Sequence, residues 1–181
     1  YSNIYHPFIP KYFGEIIDMN QNKIIIEYIN GKTLENLNQL NLNENDKINI
    51  IFELLIAIQY LHSKQYKYRD LKPNNIIIDE NKTVVIIDFD RMIANVNDES
   101  TTSFPHDFCA PEITSNQFFT EKCDIYSVGF IIKYIMTGKK PKQNVEWNKM
   151  NTNLSIYTIN KIEQIIKKCT DINPQKRPSI I

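Results

Sequence analysis

The chain comprises 181 residues, 42% apolar and 23% charged, with 21 basic residues balancing 21 acidic ones. That length supports one domain with a real core rather than two, and a neutral balance argues against nucleic acid or an anionic membrane as the main partner. Plentiful Ile, Tyr and Phe, with few Gly and Pro, exclude a disordered chain.

The best apolar run, from Val128 to Met136, is shorter than a membrane span and is interrupted by Lys133. Cys109, Cys123 and Cys169 are odd in number and form no Cys-x-x-Cys, which predicts a reducing, cytoplasmic setting with no disulfide frame or zinc site. The chain opens on Tyr1 and closes on Ile181, and so reads as a piece of something longer.

Ile16-Ile17 and Ile24-Ile25-Ile26 are β-rich runs flanking a polar turn, the pattern of a hairpin. Gly31 breaks it, and Thr33 is a cap for a short helix through Leu40. The Asn-rich stretch from Asn38 to Asn49 reads as a loop. From about Asp46 to Ser63, apolar residues at Ile48, Ile51, Phe52, Leu55, Ile58 and Leu61 fall at helical spacing, and Leu54, Ile56 and Ala57 extend them to a helix buried nearly all round. Ile76-Ile77-Ile78 and Val84 to Ile87 are short strands joined by a turn over Asp79 to Lys82. A polar loop follows from Asn95 to Ser103. A second apolar helix runs from about Asp124 to Met136 and stops at Gly138. Residues 141 to 157 read as irregular, and a last helix carries Ile159, Ile162, Ile166 and Cys169. The expected class is α+β: a remnant of antiparallel sheet followed by a mostly helical lobe.

The chemistry concentrates in Tyr68-Arg69-Asp70-Leu71-Lys72-Pro73-Asn74-Asn75, with Asp88-Phe89-Asp90 following 18 positions after Asp70. A carboxylate, an ammonium and an amide leave a helix on one tight loop, and a second carboxylate ends the paired strand, so the hairpin can bring both loop ends together. Asn75 and Asp88 are hard oxygen donors of the kind Mg²⁺ takes beside phosphate oxygens. Asp70 can accept a proton from an attacking hydroxyl, and Lys72 can offset charge on a moving phosphoryl group.

These residues resemble the eukaryotic protein kinase family over nearly the whole chain. Asp70, Lys72 and Asn75 match its catalytic loop, and Asp88-Phe89 the first two residues of its metal-binding motif. Ala110-Pro111-Glu112 matches the end of its activation segment, Asp124 to Gly129 its central buried helix, and Arg177 the late arginine that pairs with the segment's glutamate, here Glu112. Ile26-Glu27-Tyr28-Ile29 resembles the gatekeeper and hinge, where Glu27 and Ile29 would face adenine, and Ile77 would be the apolar floor beneath it. Tyr12, Tyr68, Phe89 and Asp124 match positions that stack between the lobes. Arg69 and Arg177, two of only three arginines, occupy positions where the family needs a planar donor. His6, His62 and His106 share no ligand spacing and read as packing or surface. Trp147 reads as an anchor for its irregular stretch.

The resemblance implies one truncated kinase domain over residues 1–181: the last strands of the small lobe at 1–28, the hinge at 29–32 and the large lobe at 33–181. It implies ATP and Mg²⁺ as cofactors and a protein substrate, with phosphorylation of Thr101, Thr102 or Ser103 able to engage Arg69. It also has departures. The Gly-rich phosphate loop and the strand lysine with its glutamate are not among these residues, Tyr68 replaces the usual His, and Asp90 replaces the usual Gly. Lys72-Pro73 follows the Ser/Thr pattern, whereas Phe104-Pro105 follows the tyrosine pattern and puts Pro105 where Ser/Thr kinases place a Thr near the catalytic Asp. The implied activity is phosphoryl transfer from ATP to a protein hydroxyl, Ser/Thr favoured, with these 181 residues inactive alone. A pseudokinase scaffold and a small-molecule phosphotransferase are the alternatives.

Overall fold

A computed structural model describes residues 3–17, 22–94, 106–114, 120–145 and 153–180. Strands β1 (Tyr12–Ile17) and β2 (Asn22–Ile26) form an antiparallel hairpin, with Tyr12 opposite Ile26 and Ile17 opposite Asn22. Next come β3 (Gly31–Thr33), a 3₁₀ turn over Leu34–Gln39 and helix α1 (Glu44–Ser63). Two features depart from expectation here. Gly31 opens a third strand, which pairs with β5 (Ile76–Asp79), and the segment after Thr33 is 3₁₀ with no cap from the Thr33 side chain.

Helix α1 starts inside the Asn-rich stretch expected to be a loop. Asn43 Oδ1 accepts from the Asp46 N–H and the Asp46 carboxylate accepts from the Asn43 N–H, both at 2.9 Å, a reciprocal cap that satisfies two amides of the first turn. The helix is also less enclosed than its composition suggests. Ile50, Leu54, Ala57, Ile58 and Leu61 line one buried face, while Phe52 is 63% exposed.

Strands β5 and β6 (Val84–Ile86) pair antiparallel, Ile76 with Ile86 and Ile78 with Val84, and their alternation sends Ile76 and Ile78 into the core. The two-residue strands β4 (Tyr66–Lys67) and β7 (Ile93–Ala94) pair beside them. Helix α2 (Pro111–Thr114) is a single turn. Helix α3 (Lys122–Thr137) is buried on most sides and ends at Gly138, whose φ of 66° gives the left-handed cap, its N–H bonding the Tyr134 carbonyl at 2.8 Å. Gly129 lets α4 (Ile156–Cys169) approach: a Cβ there would stand 2.7 Å from Cys169 Cβ and 2.8 Å from Thr170 Cγ2. One continuous core joins α1, α3, the three-stranded sheet and the entry segment at Ile4 and Ile9. The β1–β2 hairpin stands outside it, with Phe13, Ile16, Ile17, Ile24, Ile25 and Ile26 exposed.

Candidate active site

The loop between β4 and β5 is anchored from below by α3. Asp124, fully buried in the first turn of that helix, accepts from the Arg69 N–H at 2.7 Å and the Tyr68 N–H at 2.9 Å, and lies 2.9 Å from His62 Nε2. One carboxylate thus fixes two loop amides and one α1 side chain. Tyr68 is buried, bonds the Ile87 carbonyl through its hydroxyl and packs edge-on against Phe89 with ring centroids 5.4 Å apart. Arg69 takes a φ of 71° and Asp88 one of 64°, left-handed conformations that a non-glycine residue holds only where its surroundings enforce them.

That scaffold presents Asp70, which is 2% exposed. Its Oδ2 accepts from Lys72 Nζ at 2.7 Å and Asn75 Nδ2 at 2.8 Å, and Asn75 Nδ2 also reaches the Asp70 backbone carbonyl at 3.0 Å. Its Oδ1 faces Arg91 Nη1 and His106 Nε2, each at 3.3 Å. Burial pushes the Asp70 pKa up, but the His106 and Lys72 contacts and then the Arg91 charge outweigh it and hold the group at about 2. Asp70 is therefore an ionised acceptor with all its lone-pair directions faced by donors.

Asn75 and Asp88 come together through the strand pair: the Ile87 N–H bonds the Asn75 carbonyl at 2.9 Å, one residue before Asp88. The Asp88 carboxylate is exposed, its Oδ1 touched only loosely by the Asp90 N–H at 3.5 Å. With both hydrogens of Asn75 Nδ2 spent on Asp70, its amide oxygen is the atom left to offer a cation. This donor set fits a hard divalent ion such as Mg²⁺, although the described residues contain no cluster of three or more His, Cys, Asp or Glu. Asp90 is exposed beside it.

At the other end of the sheet, Ile77 is half-buried on the face opposite Ile76 and Ile78, across from Val85 and Thr33. Glu27 closes the hairpin base, its N–H bonding the Lys11 carbonyl at 2.8 Å and its Oε2 accepting the Lys11 N–H at 3.1 Å. Ile26 is exposed and Ile29 half-buried. Farther away, Glu112 and Arg177 form a buried bidentate pair, Nη1 to Oε1 at 2.5 Å and Nη2 to Oε2 at 2.9 Å. Arg177 further donates to the Asp171 and Lys122 carbonyls and lies over the Tyr126 ring. Thr101, Thr102, Ser103, Phe104, Pro105 and Trp147 lie outside the described residues.

A protein kinase domain profile matches residues 1–181, the entire chain. The chain belongs to the protein kinase family. Among its relatives, the developmentally-regulated protein kinase 1 of Dictyostelium discoideum is 30% identical over 97% of this chain and 26% of its own length. The dual specificity protein kinase zak2 of the same organism is 31% identical over 93% and 27%. The cAMP-dependent protein kinase type 3 of Saccharomyces cerevisiae is 31% identical over 84% and 39%. The chain thus spans about a quarter of the two Dictyostelium kinases.

Within that kinase frame, three side chains were not singled out by sequence reasoning. His62 and His106, read as packing or surface, meet Asp124 and Asp70, and Arg91 meets Asp70. A signal for His106 did exist: it adjoins Pro105, where the family resemblance leaves an expected hydroxyl donor missing.

Proposed function

We propose that this chain is the substrate- and metal-binding part of a kinase domain that transfers the γ-phosphoryl group of ATP to a protein hydroxyl. The observation that carries the reading is the Asp70 carboxylate, ionised, buried and clamped by Lys72 and Asn75 on a loop that Asp124 holds in place. An acceptor hydroxyl would bond Asp70 Oδ1, displacing one of the two contacts at 3.3 Å rather than the shorter ones on Oδ2. With a pKa near 2, Asp70 is a weak base, so its work is to aim the hydroxyl oxygen at phosphorus and to take the proton only as the new P–O bond forms. Lys72 offsets charge on the transferring group at the same carboxylate. Asn75 and Asp88 would hold Mg²⁺, which when bound neutralises phosphate charge. The hinge residues Ile26, Glu27 and Ile29 and the Ile77 floor would receive adenine.

We favour Ser/Thr acceptors, because Lys72 would touch the transferring phosphate, although two relatives are named dual specificity kinases. Three free cysteines support a cytoplasmic setting as part of this proposal. The test is phosphotransfer from labelled ATP by the intact protein and by Asp70→Asn. We expect labelled protein substrate from the wild type and a loss of at least about a thousandfold in the variant. The additional carboxylate of Asp90 motivates a second reading, a pseudokinase scaffold. Nucleotide binding without Asp70-dependent transfer would establish that reading instead.

A further inference from the structure

His106 has two faces. Its Nδ1 accepts the Phe108 N–H at 3.2 Å, which leaves the ring proton on Nε2. Nε2 is shielded from solvent and faces Asp70 Oδ1 at 3.3 Å, a charge contact that stops short of full hydrogen-bond geometry. A buried N–H is costly unless it faces an acceptor, and the acceptor this one faces is the Asp70 carboxylate. The same imidazole lines a surface cleft of about 380 Å³ with Cys109, Tyr126, Phe130 and Lys142. One side chain therefore touches both the carboxylate and the wall of the adjoining cleft.

We propose that His106 is a positioning residue: its Nε2–H orients Asp70 Oδ1 toward the acceptor hydroxyl, supplying the donor that Pro105 cannot. The assignment rests on the kinase reading above. Arg91 reaches the same oxygen, but from the segment after β6 and through a long flexible side chain. His106 is shorter, is pinned at Nδ1, and belongs to the segment that leads through Ala110 into α2. Because Oδ1 has two lone pairs, an incoming hydroxyl can displace Arg91 while His106 remains.

Two conservative variants separate this role from simple support of the loop. In His106→Gln the amide nitrogen takes the place of Nε2, whereas in His106→Asn the amide oxygen takes the place of Nδ1 and holds only the Phe108 N–H. Steady-state phosphotransfer is measured for the intact wild type, His106→Ala, His106→Gln, His106→Asn and Asp70→Asn. We expect His106→Ala to lower kcat by about ten- to a hundredfold with the KM for ATP unchanged. Gln should restore most of that loss and Asn little. Rescue by Asn and not by Gln, or full kcat in His106→Ala alongside an inactive Asp70→Asn, overturns the positioning role and leaves the kinase reading standing. A wild type without transfer overturns both.

Discussion

Asp70 is almost wholly removed from water, yet it remains ionised because every oxygen faces a donor. The consequence is a pH signature. A free aspartate titrates near 4 and the folded group at about 2, so the charged form stabilises the fold above pH ~4 and that contribution is lost as pH falls toward ~2. The increment is on the order of 2 kcal/mol. Denaturant unfolding of wild type and Asp70→Asn should show the wild type losing about that much more stability than the variant between pH ~4 and ~2. Parallel pH slopes would rule the clamp out. How such a residue could be read from sequence depends on distance. Lys72 and Asn75 share its loop, and their spacing alone groups them. Arg91 and His106 lie 21 and 36 positions away on segments whose return to the loop is a matter of tertiary packing. No local pattern marks them, and His106 could be found only through the anomaly at Pro105.

At the scale of elements, single polar groups hold segments together that apolar periodicity does not join. Arg177 binds α2, the start of α3 and the turn after α4 at once, since it reaches Glu112, Lys122 and Asp171. Removing it leaves a buried carboxylate without its partner, so Arg177→Ala should cost about 3–5 kcal/mol by urea unfolding. Arg177→Lys should recover little, because an ammonium cannot span both Glu112 oxygens and two carbonyls in one plane. A Lys variant as stable as wild type would reduce the fork to a simple charge contact. Gly129→Ala should cost about 1–3 kcal/mol by the same assay, since the added methyl meets Cys169 and Thr170 across the α3–α4 contact. A neutral result would mean that α4 can shift without loss. Helix α3 was legible because its apolar run ends in a recognisable Gly138 cap, and α4 because Ile159, Ile162, Ile166 and Cys169 fall at helical spacing before Asn173-Pro174. The start of α1 was hidden because Asn reads as loop by composition, while Asn43 in fact serves as the cap. Strand β3 is three residues long and exists because β5 offers an edge, a cause outside its own sequence.

Across the whole molecule, the helical lobe and the hairpin differ in how well they are covered. The core runs continuously through α1, α3 and the three-stranded sheet, whereas β1 and β2 leave Ile17 74%, Phe13 66% and Ile24 58% exposed. A two-stranded hairpin is marginal by itself, and its open, apolar edges are templates for pairing with another chain. These 181 residues on their own should therefore self-associate. They should also transfer little phosphate, because the residues proposed to hold acceptor and metal stand here without the family's phosphate clamp. The two expectations separate experimentally. Replacing Ile17 and Ile24 with Lys puts charge on both exposed strands of the hairpin, outside the core, and size-exclusion chromatography with light scattering over a concentration series should show the species move from oligomer toward monomer. Transfer by that monomer should stay near background, since solubility supplies no phosphate ligand. A wild-type chain that is monomeric at every concentration would mean that the hairpin folds back on itself or is too mobile to template pairing. A soluble variant with robust turnover would mean that the loop from Asp70 to Asn75, with Asp88, suffices to hold and transfer the phosphoryl group.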